Sequence, residues 1–373
     1  MWKTVKLGDI CKIFNGGTPK SNVKGYWEGD VQWLTPKDMG KLISRYVANT
    51  ERKITVDGLN NSSAKLVPSQ SVILSCRAPI GHVFINEVEM SFNQGCKGLV
   101  PTDEITVEYL YYFLFSSKQL LNDLGTGTTF KEISGKTLSN VEIPLPPLAE
   151  QQRIVAKLDA AFSEIDGAIE LEQIKSNECN RLDDALRESI QRKFSHLSQA
   201  VKLSDLIAVR SGDFLPKKKM NLKGCFNVYG GNGHSGLHDE YNLSGQKVVI
   251  GRVGQKCGNV RMLNEDFWLT DNAFYVSEMH RQIDAEYLAS LLASCNLRQY
   301  ARNGDLPVLS FKGLKDVEVP FVESTDAQKE IVQQLKLAEE TLASLNTMNI
   351  EKIRLYAEMK ASVLRSFLSS EAA

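Results

Sequence analysis

Side chains that suit hydrogen bonding to nucleobases and phosphates collect in this chain where apolar runs give way to glycine-rich turns. In the first half these are Lys20, Lys37, Arg77, Asn93, Gln94, Lys97, Thr128 and Lys131. In the second they are Lys217, Lys218, Lys219, Tyr229, Asn232, His234, Arg252, Lys256 and Asn272. Arginine and lysine match guanine edges, asparagine and glutamine match adenine, and hydroxyls and ammonium groups match phosphate oxygens. Lys217-Lys218-Lys219 reads equally as a solubilising run.

Catalytic patterns are weaker. Gly231-Asn232-Gly233-His234-Ser235-Gly236 has the spacing of a dinucleotide loop, but that loop needs a helix after it. Here Leu237 to Gln246 is polar and leads into a strand, so a loop is expected. Gly135-Lys136-Thr137 lacks the first glycine of a phosphate loop, its place being taken by Phe130. His234 and His238 sit four apart with no helix to bring them to one metal. The chain has no H-E-x-x-H, no nucleophile elbow, no nuclease carboxylate pair followed by lysine and no amino-methyltransferase motif; the nearest string to the last is Leu145-Pro146-Pro147-Leu148.

The elements that position the candidates come in two copies. Val5-Lys6-Leu7-Gly8-Asp9-Ile10 recurs as Val201-Lys202-Leu203-Ser204-Asp205-Leu206. The run Ser71 to Cys76 reads as a buried strand, with Lys247 to Val253 as its counterpart and Arg252 standing for Arg77. Thr270-Asp271-Asn272-Ala273 takes the slot of the Asn93-Gln94 loop. Thr106 is placed to cap a helix that Gly125 stops, and Glu286-Tyr287-Leu288 opens a second that Gly304 ends. Duplication of this kind implies an internal pseudo-twofold and a ligand with two similar parts.

Each copy closes on a long helix. Val141-Glu142-Ile143-Pro144 is matched by Val317-Glu318-Val319-Pro320, and Gln151 to Val155 by Gln328 to Val332. A heptad seam follows the first: Val155, Leu158, Phe162, Ile165, Ile169, Glu172, Ser176, Cys179, Asp183, Leu186, Ile190. The second runs Val332, Leu335, Glu339, Leu342, Asn346, Asn349, Ile353, Tyr356, Lys360, Val363, Phe367. Both are apolar at the ends and polar in the middle, as in an antiparallel pair. Two separate amphipathic helices are the alternative, but the first would reach roughly 65–70 Å, longer than one small domain needs.

At 373 residues and 42% hydrophobic content, two domains or more are expected. Net charge is −1, with the globular parts marginally basic and the helices acidic, a weak footprint for nucleic acid. The seven cysteines are never spaced C-x-x-C, which fits reduced, mostly buried thiols and a cytoplasmic setting. No apolar run is long enough to span a membrane, and Met1 to Ile10 lacks a signal-peptide core.

The segment Ile143-Pro144-Leu145-Pro146-Pro147-Leu148-Ala149-Glu150-Gln151-Gln152-Arg153-Ile154-Val155 resembles the domain-to-helix junction of specificity subunits of type I restriction–modification systems, and the likeness extends over the whole chain. Tyr229-Gly230-Gly231-Asn232-Gly233, Ile250 to Gly254 and Thr270 to Ala273 resemble one kind of target-recognition domain in that family. Ser75 to Gly81 with Asn93-Gln94-Gly95 resembles another. The second junction departs from the pattern, with Phe321 to Thr325 in place of the proline-rich run.

The resemblance implies an α+β fold: two mixed α/β target-recognition domains, residues 1–147 and 195–325, separated by two long antiparallel coiled-coil helices, 148–194 and 326–373, with an internal pseudo-twofold repeat. It implies a chain that does no catalysis and binds no cofactor, whose domains each read half of a bipartite site in double-stranded DNA. Two methyltransferase subunits and the motor-nuclease subunits are its implied partners, carrying S-adenosylmethionine, ATP and magnesium. A coiled-coil scaffold for proteins would bind without regard to DNA sequence, and a cryptic DNA-modifying enzyme would turn over alone.

Overall fold

The computed structural model describes residues 2–368 except 43, 78, 128–130, 222 and 303–305. Two compact units emerge: Met1–Gln173 with Ile350–Ala373, and Ile174–Asn349.

The strands of the first unit are, in chain order, β1 (Lys3–Lys6), β2 (Cys11–Asn15), β3 (Trp27–Leu34), β4 (Tyr46–Val47), β5 (Lys53–Ile54), β6 (Val72–Cys76), β7 (Ile80–Asn86), β8 (Ser91–Phe92), β9 (Cys96–Pro101) and β10 (Glu142–Leu145). They form sheets of order β2-β9-β6-β7-β4 and β5-β3-β8, plus the pair β1-β10. β6 is buried throughout because both of its faces are covered. Val72, Leu74 and Cys76 join the core that contains Tyr109, Leu110 and Leu114. Ile73, one step out of phase, joins Leu34, Phe84 and Phe92; the two cores follow the period of two that a strand imposes.

The second unit carries β11 (Ser198–Lys202), β12 (Ile207–Ser211), β13 (Phe226–Gly230), β14 (Gly233–His238), β15 (Gln246–Gly251), β16 (Val260–Asn264), β17 (Phe267–Leu269), β18 (Ala273–Met279) and β19 (Glu318–Val322). Its sheets run β12-β18-β15-β16 and β14-β13-β17, with the pair β11-β19. The order β12-β18-β15-β16 repeats β2-β9-β6-β7, and the parallel pair β13-β17 repeats β3-β8. Val248 and Ile250 face the core holding Leu288 and Leu292, while Val249 faces Phe267 and Leu269. The internal repeat is thus present down to the alternation of single side chains.

Thr106 does cap a helix, Val107–Ser116, accepting from the Tyr109 N–H. A second helix, Lys118–Leu124, follows the break at Ser117 and ends at Gly125. Its counterpart, Ala285–Ser294, is capped by Asp284. It stops well before the expected Gly304, which lies outside the described residues. Asn296, in the left-handed region at φ 43°, turns the chain instead, as asparagine tolerates.

The long helices are Leu148–Phe194 and Thr325–Leu368. Within each unit, stretches of both lie side by side and antiparallel. In the first, Lys360 donates to Asp166 at 2.7 Å and Lys352 pairs with Glu172 at 3.5 Å. In the second, Ser176 hydrogen-bonds Asn346, Arg187 pairs with Glu339, and Lys193 donates to Gln334 at 3.2 Å. The expected seam holds along much of both helices and departs in phase near their ends and at Leu186 and Glu339. Ile154, Leu364 and Leu368 are buried where Val155, Val363 and Phe367 are half-buried, and Leu186 and Glu339 are exposed; beside Leu186, Arg187 pairs with Glu339. Among the described residues no helix is long and apolar enough to cross a membrane.

Candidate functional site

In an antiparallel sheet of order β2-β9-β6, the end of β2, the start of β9 and the end of β6 share one edge. The Asn93-Gln94 loop, Arg77 and the turn that carries Lys37 meet there. Gly16 and Gly17 leave β2 and run against the Asn93 loop, their N–H groups donating to Cys96 O at 3.2 Å and Phe92 O at 3.0 Å. A Cβ on Gly16 would stand 2.0 Å from Asn93 O, so only glycine permits the approach. Asn93 folds its own loop by accepting from the Gly95 N–H at 2.7 Å. Gln94 is exposed, with its Oε1 fixed by the Thr18 hydroxyl. Thr35 caps the short helix Pro36–Met39, whose Pro36 lies against Gly95 and which carries the exposed Lys37.

Arg77, half-buried, bridges by its backbone to Glu132 and pairs with that carboxylate at 3.5 Å. Lys20 and Lys131 are exposed. Lys97 is not available to a ligand: it is 4% exposed, and its ammonium donates to Asn15 at 3.0 Å. Alternation along β9 turns it inward. Thr128 lies outside the described residues.

The same edge recurs in the second unit at the end of β12, the start of β18 and the end of β15. Gly212 donates to Ala273 O at 3.1 Å as Gly16 does to Cys96 O. Gly231 and Asn232, between β13 and β14, press onto it: a Cβ on Gly231 would lie 2.3 Å from Val253 O. The G-x-G-x-x-G string is therefore a β-hairpin, not a free loop and not a dinucleotide site. Asn232 accepts from the Lys256 N–H at 3.1 Å. Arg261 donates to Gly230 O at 3.3 Å and Gly231 O at 3.1 Å, holding the turn from beneath.

Arg252 and Arg77 are not equivalents. The Cys76 N–H donates to Gly95 O at 2.7 Å and the Arg252 N–H to Asn272 O at 2.9 Å, while Ile133 and Leu309 donate to the carbonyls of Cys76 and Arg252. Arg252 thus holds the place of Cys76, and Val253 that of Arg77; successive strand residues point to opposite faces. Arg252 instead donates to Asp271 O at 3.2 Å and lies over the Phe274 ring at 5.4 Å. Its buried Nε, like the Thr270 hydroxyl, has no hydrogen-bond partner among the described residues.

His234, Lys256 and Asn272 are exposed. The Tyr229 hydroxyl is tied to Glu265 at 2.6 Å; burial, with the Glu265 hydrogen bond adding to it, pushes its pKa to about 12. Only the ring is left to face outward, beside His234. Lys217–Lys219 form an exposed 3-10 turn that leads toward β14. His238 packs on Trp268, and among the described residues no group of three His, Cys, Asp or Glu is placed to hold a metal ion.

Thr18, Glu132, Arg261 and Asp271 belong to these clusters and were not legible as candidates. Their roles arise from partners distant in sequence. Each edge is a set of fixed donors and acceptors suited to recognition.

A model of the type I restriction modification DNA specificity domain matches residues 1–179 and again 197–354. The type I restriction enzyme MjaIX specificity subunit of Methanocaldococcus jannaschii is 34% identical over 240 residues, 59% of this chain and 54% of that relative. The EcoR124I/EcoR124II specificity subunit of Escherichia coli is 37% identical over 165 residues, 42% of this chain and 40% of its own length. The match to these two relatives therefore spans about half of their length or less. The Escherichia coli EcoprrI specificity subunit is 26% identical over 343 residues, 86% of this chain and 84% of that one.

Two solved structures share the fold. A chain solved in work on complex assembly and conformational transition of the type I R-M system superposes with a TM-score of 0.76 at 16% identity, covering 99% of this chain and 98% of that one. The HsdS subunit from Thermoanaerobacter tengcongensis gives 0.59 at 16% identity, covering 99% and 97%. With the repeated frame and a family match on each copy, this chain belongs to the type I restriction modification DNA specificity family.

Proposed function

We propose that this chain is the sequence-reading subunit of a type I restriction–modification assembly, with each globular part reading one half of a bipartite DNA site. One observation carries the reading: the same strand-end edge, built on Gly16 and again on Gly212, holds a different set of donors in each copy. A duplicated frame with divergent side chains suits two half-sites of different sequence, because phosphate contacts position and base contacts specify.

In this reading residues 1–147 and 195–325 recognise DNA, and 148–194 with 326–373 set the spacing and dock two methyltransferase subunits. The contacts assigned are Lys20, Lys37, Arg77, Asn93, Gln94 and Lys131 in the first part. In the second they are Lys217, Lys218, Lys219, Asn232, His234, Arg252, Lys256 and Asn272. Lys97 and the Tyr229 hydroxyl are set aside, being already engaged. S-adenosylmethionine, ATP and magnesium belong to the methyltransferase and motor-nuclease partners.

Modification-sensitive sequencing of a host carrying this chain with its methyltransferase partner tests the proposal. The expected result is methylation at one two-part motif with a fixed gap, and none without this chain. The purified chain, given S-adenosylmethionine, ATP and magnesium, should neither methylate nor cleave. Activity from partner-free chain would overturn the assignment.

A further inference from the structure

Phe214 is 73% exposed, the largest value of any large hydrophobic side chain among the described residues. Its backbone is nevertheless pinned on both sides. Before it, Asp213 donates its N–H to Leu269 O at 2.9 Å, accepts from the Trp268 Nε1 at 3.3 Å on its carbonyl, and accepts from Asn242 at 2.8 Å on its carboxylate. After it, Leu215 is buried, and Lys219 and Met220 donate back to Pro216 and Lys217. The ring is presented to solvent by a rigid turn. That turn adjoins the candidate edge: Ser211 donates to Asp271 O, the carbonyl that Arg252 also reaches.

Three lysines follow within five residues on the 3-10 turn. A single aromatic ring beside a row of ammonium groups, with its nearest apolar neighbour turned inward, suits a polyanion with flat apolar faces better than a protein surface. Apolar wedges next to cations are how DNA-bending proteins open a base step. The equivalent residue of the first unit is Thr18, which follows Gly17 as Phe214 follows Asp213, and its hydroxyl is spent on Gln94.

We infer that Phe214 is a wedge that inserts against the bases of its half-site and unstacks one step, with Lys217–Lys219 holding the flanking phosphates, apart from any base that the methyltransferase itself turns out of the stack. The inference rests on the DNA reading above.

The test uses the full chain with its methyltransferase partner and a duplex carrying the mapped motif, with 2-aminopurine placed in turn at each position of both half-sites. Wild type should raise the fluorescence at the methylated positions, where the methyltransferase flips the base, and at one further step of one half-site. Phe214→Ala should abolish that further rise and weaken binding about tenfold, the loss of one base–aromatic stack, with the salt dependence kept; Phe214→Trp should restore both. Specific binding by wild type with no rise beyond the methylated positions overturns the wedge and leaves the DNA reading intact. A further rise that survives Phe214→Ala, or loss of partner association in that variant with DNA binding unchanged, overturns the assignment to this ring. An assembly that binds no duplex sinks the DNA reading and the wedge with it.

Discussion

Gln151 and Gln328 are one device used twice. Both are fully buried at the start of a long helix. Gln151 accepts from the Thr106 N–H at 2.8 Å and donates to Glu104 O and Pro146 O, each at 2.9 Å. Gln328 accepts from the Asp284 N–H at 2.8 Å and donates to Gln282 O and Val322 O. In each unit one amide ties the strand that enters the long helix to the loop that enters the shorter one.

Gln151→Leu leaves the Thr106 N–H and the carbonyls of Glu104 and Pro146 without this partner, the last of them at a buried position, and one buried group so left costs about 1–3 kcal/mol. The variant should therefore lose at least that much stability, with hydrogen exchange quickening first in Val107–Ser116. Gln328→Leu should do the same to Ala285–Ser294. A loss below about 0.5 kcal/mol, the range of ordinary surface changes, would contradict the role.

Thiols give a pH test. Burial pushes Cys11 and Cys76 up to about 12. A group raised on folding contributes stability that is full below the unfolded pKa and lost as pH rises through the folded one. Stability should therefore be level on this account up to about pH 9 and fall toward pH 12. Denaturant unfolding of Cys76→Ala against wild type reads it: the gap between them should narrow as pH rises through that window. In the native protein, Cys225, the exposed cysteine, should react with a thiol reagent well before Cys11, Cys76 and Cys96.

The frame of the fold was legible because duplication and heptads are carried by residue type alone. Val5 to Ile10 against Val201 to Leu206, and Gln151 against Gln328, announce two copies before any coordinates are seen. Side-chain direction was less legible. Lys97 reads as a surface lysine until the pleat of β9 turns it onto Asn15. Arg252 aligns with Arg77 by eye, yet backbone partners place it one residue earlier. Arg261 carries no local signal, since its role depends on carbonyls of Gly230 and Gly231 brought to it by the hairpin.

The offset between the two arginines separates their effects. Arg77 is paired with the Glu132 carboxylate, a contact it would give up in the proposed DNA complex, whereas Arg252 is held only by the Asp271 carbonyl among hydrogen-bond partners of the described residues. Each alanine variant should weaken specific binding by about 1–3 kcal/mol if its contact is bidentate to a base. Glu132→Ala should leave Arg77 free and steepen the fall of affinity with salt. Fluorescence anisotropy across a salt series checks both, and unchanged binding in Arg77→Ala and Arg252→Ala would remove these residues from the interface.

In the proposed function the helix pair sets the distance between two half-sites. Glu172 pairs with Lys352 and Ser176 with Asn346, so the segments 172–178 and 346–352 face each other in register and can be deleted together. One heptad is about 10.5 Å of helix, or about three base pairs at ~3.4 Å each. Mapping of methylated motifs for this double deletion should show both half-site sequences unchanged and the gap between them shorter by about three base pairs, with modification weakened by the rotation of one half about the DNA axis. Both half-sites still read across an unaltered gap would contradict the account.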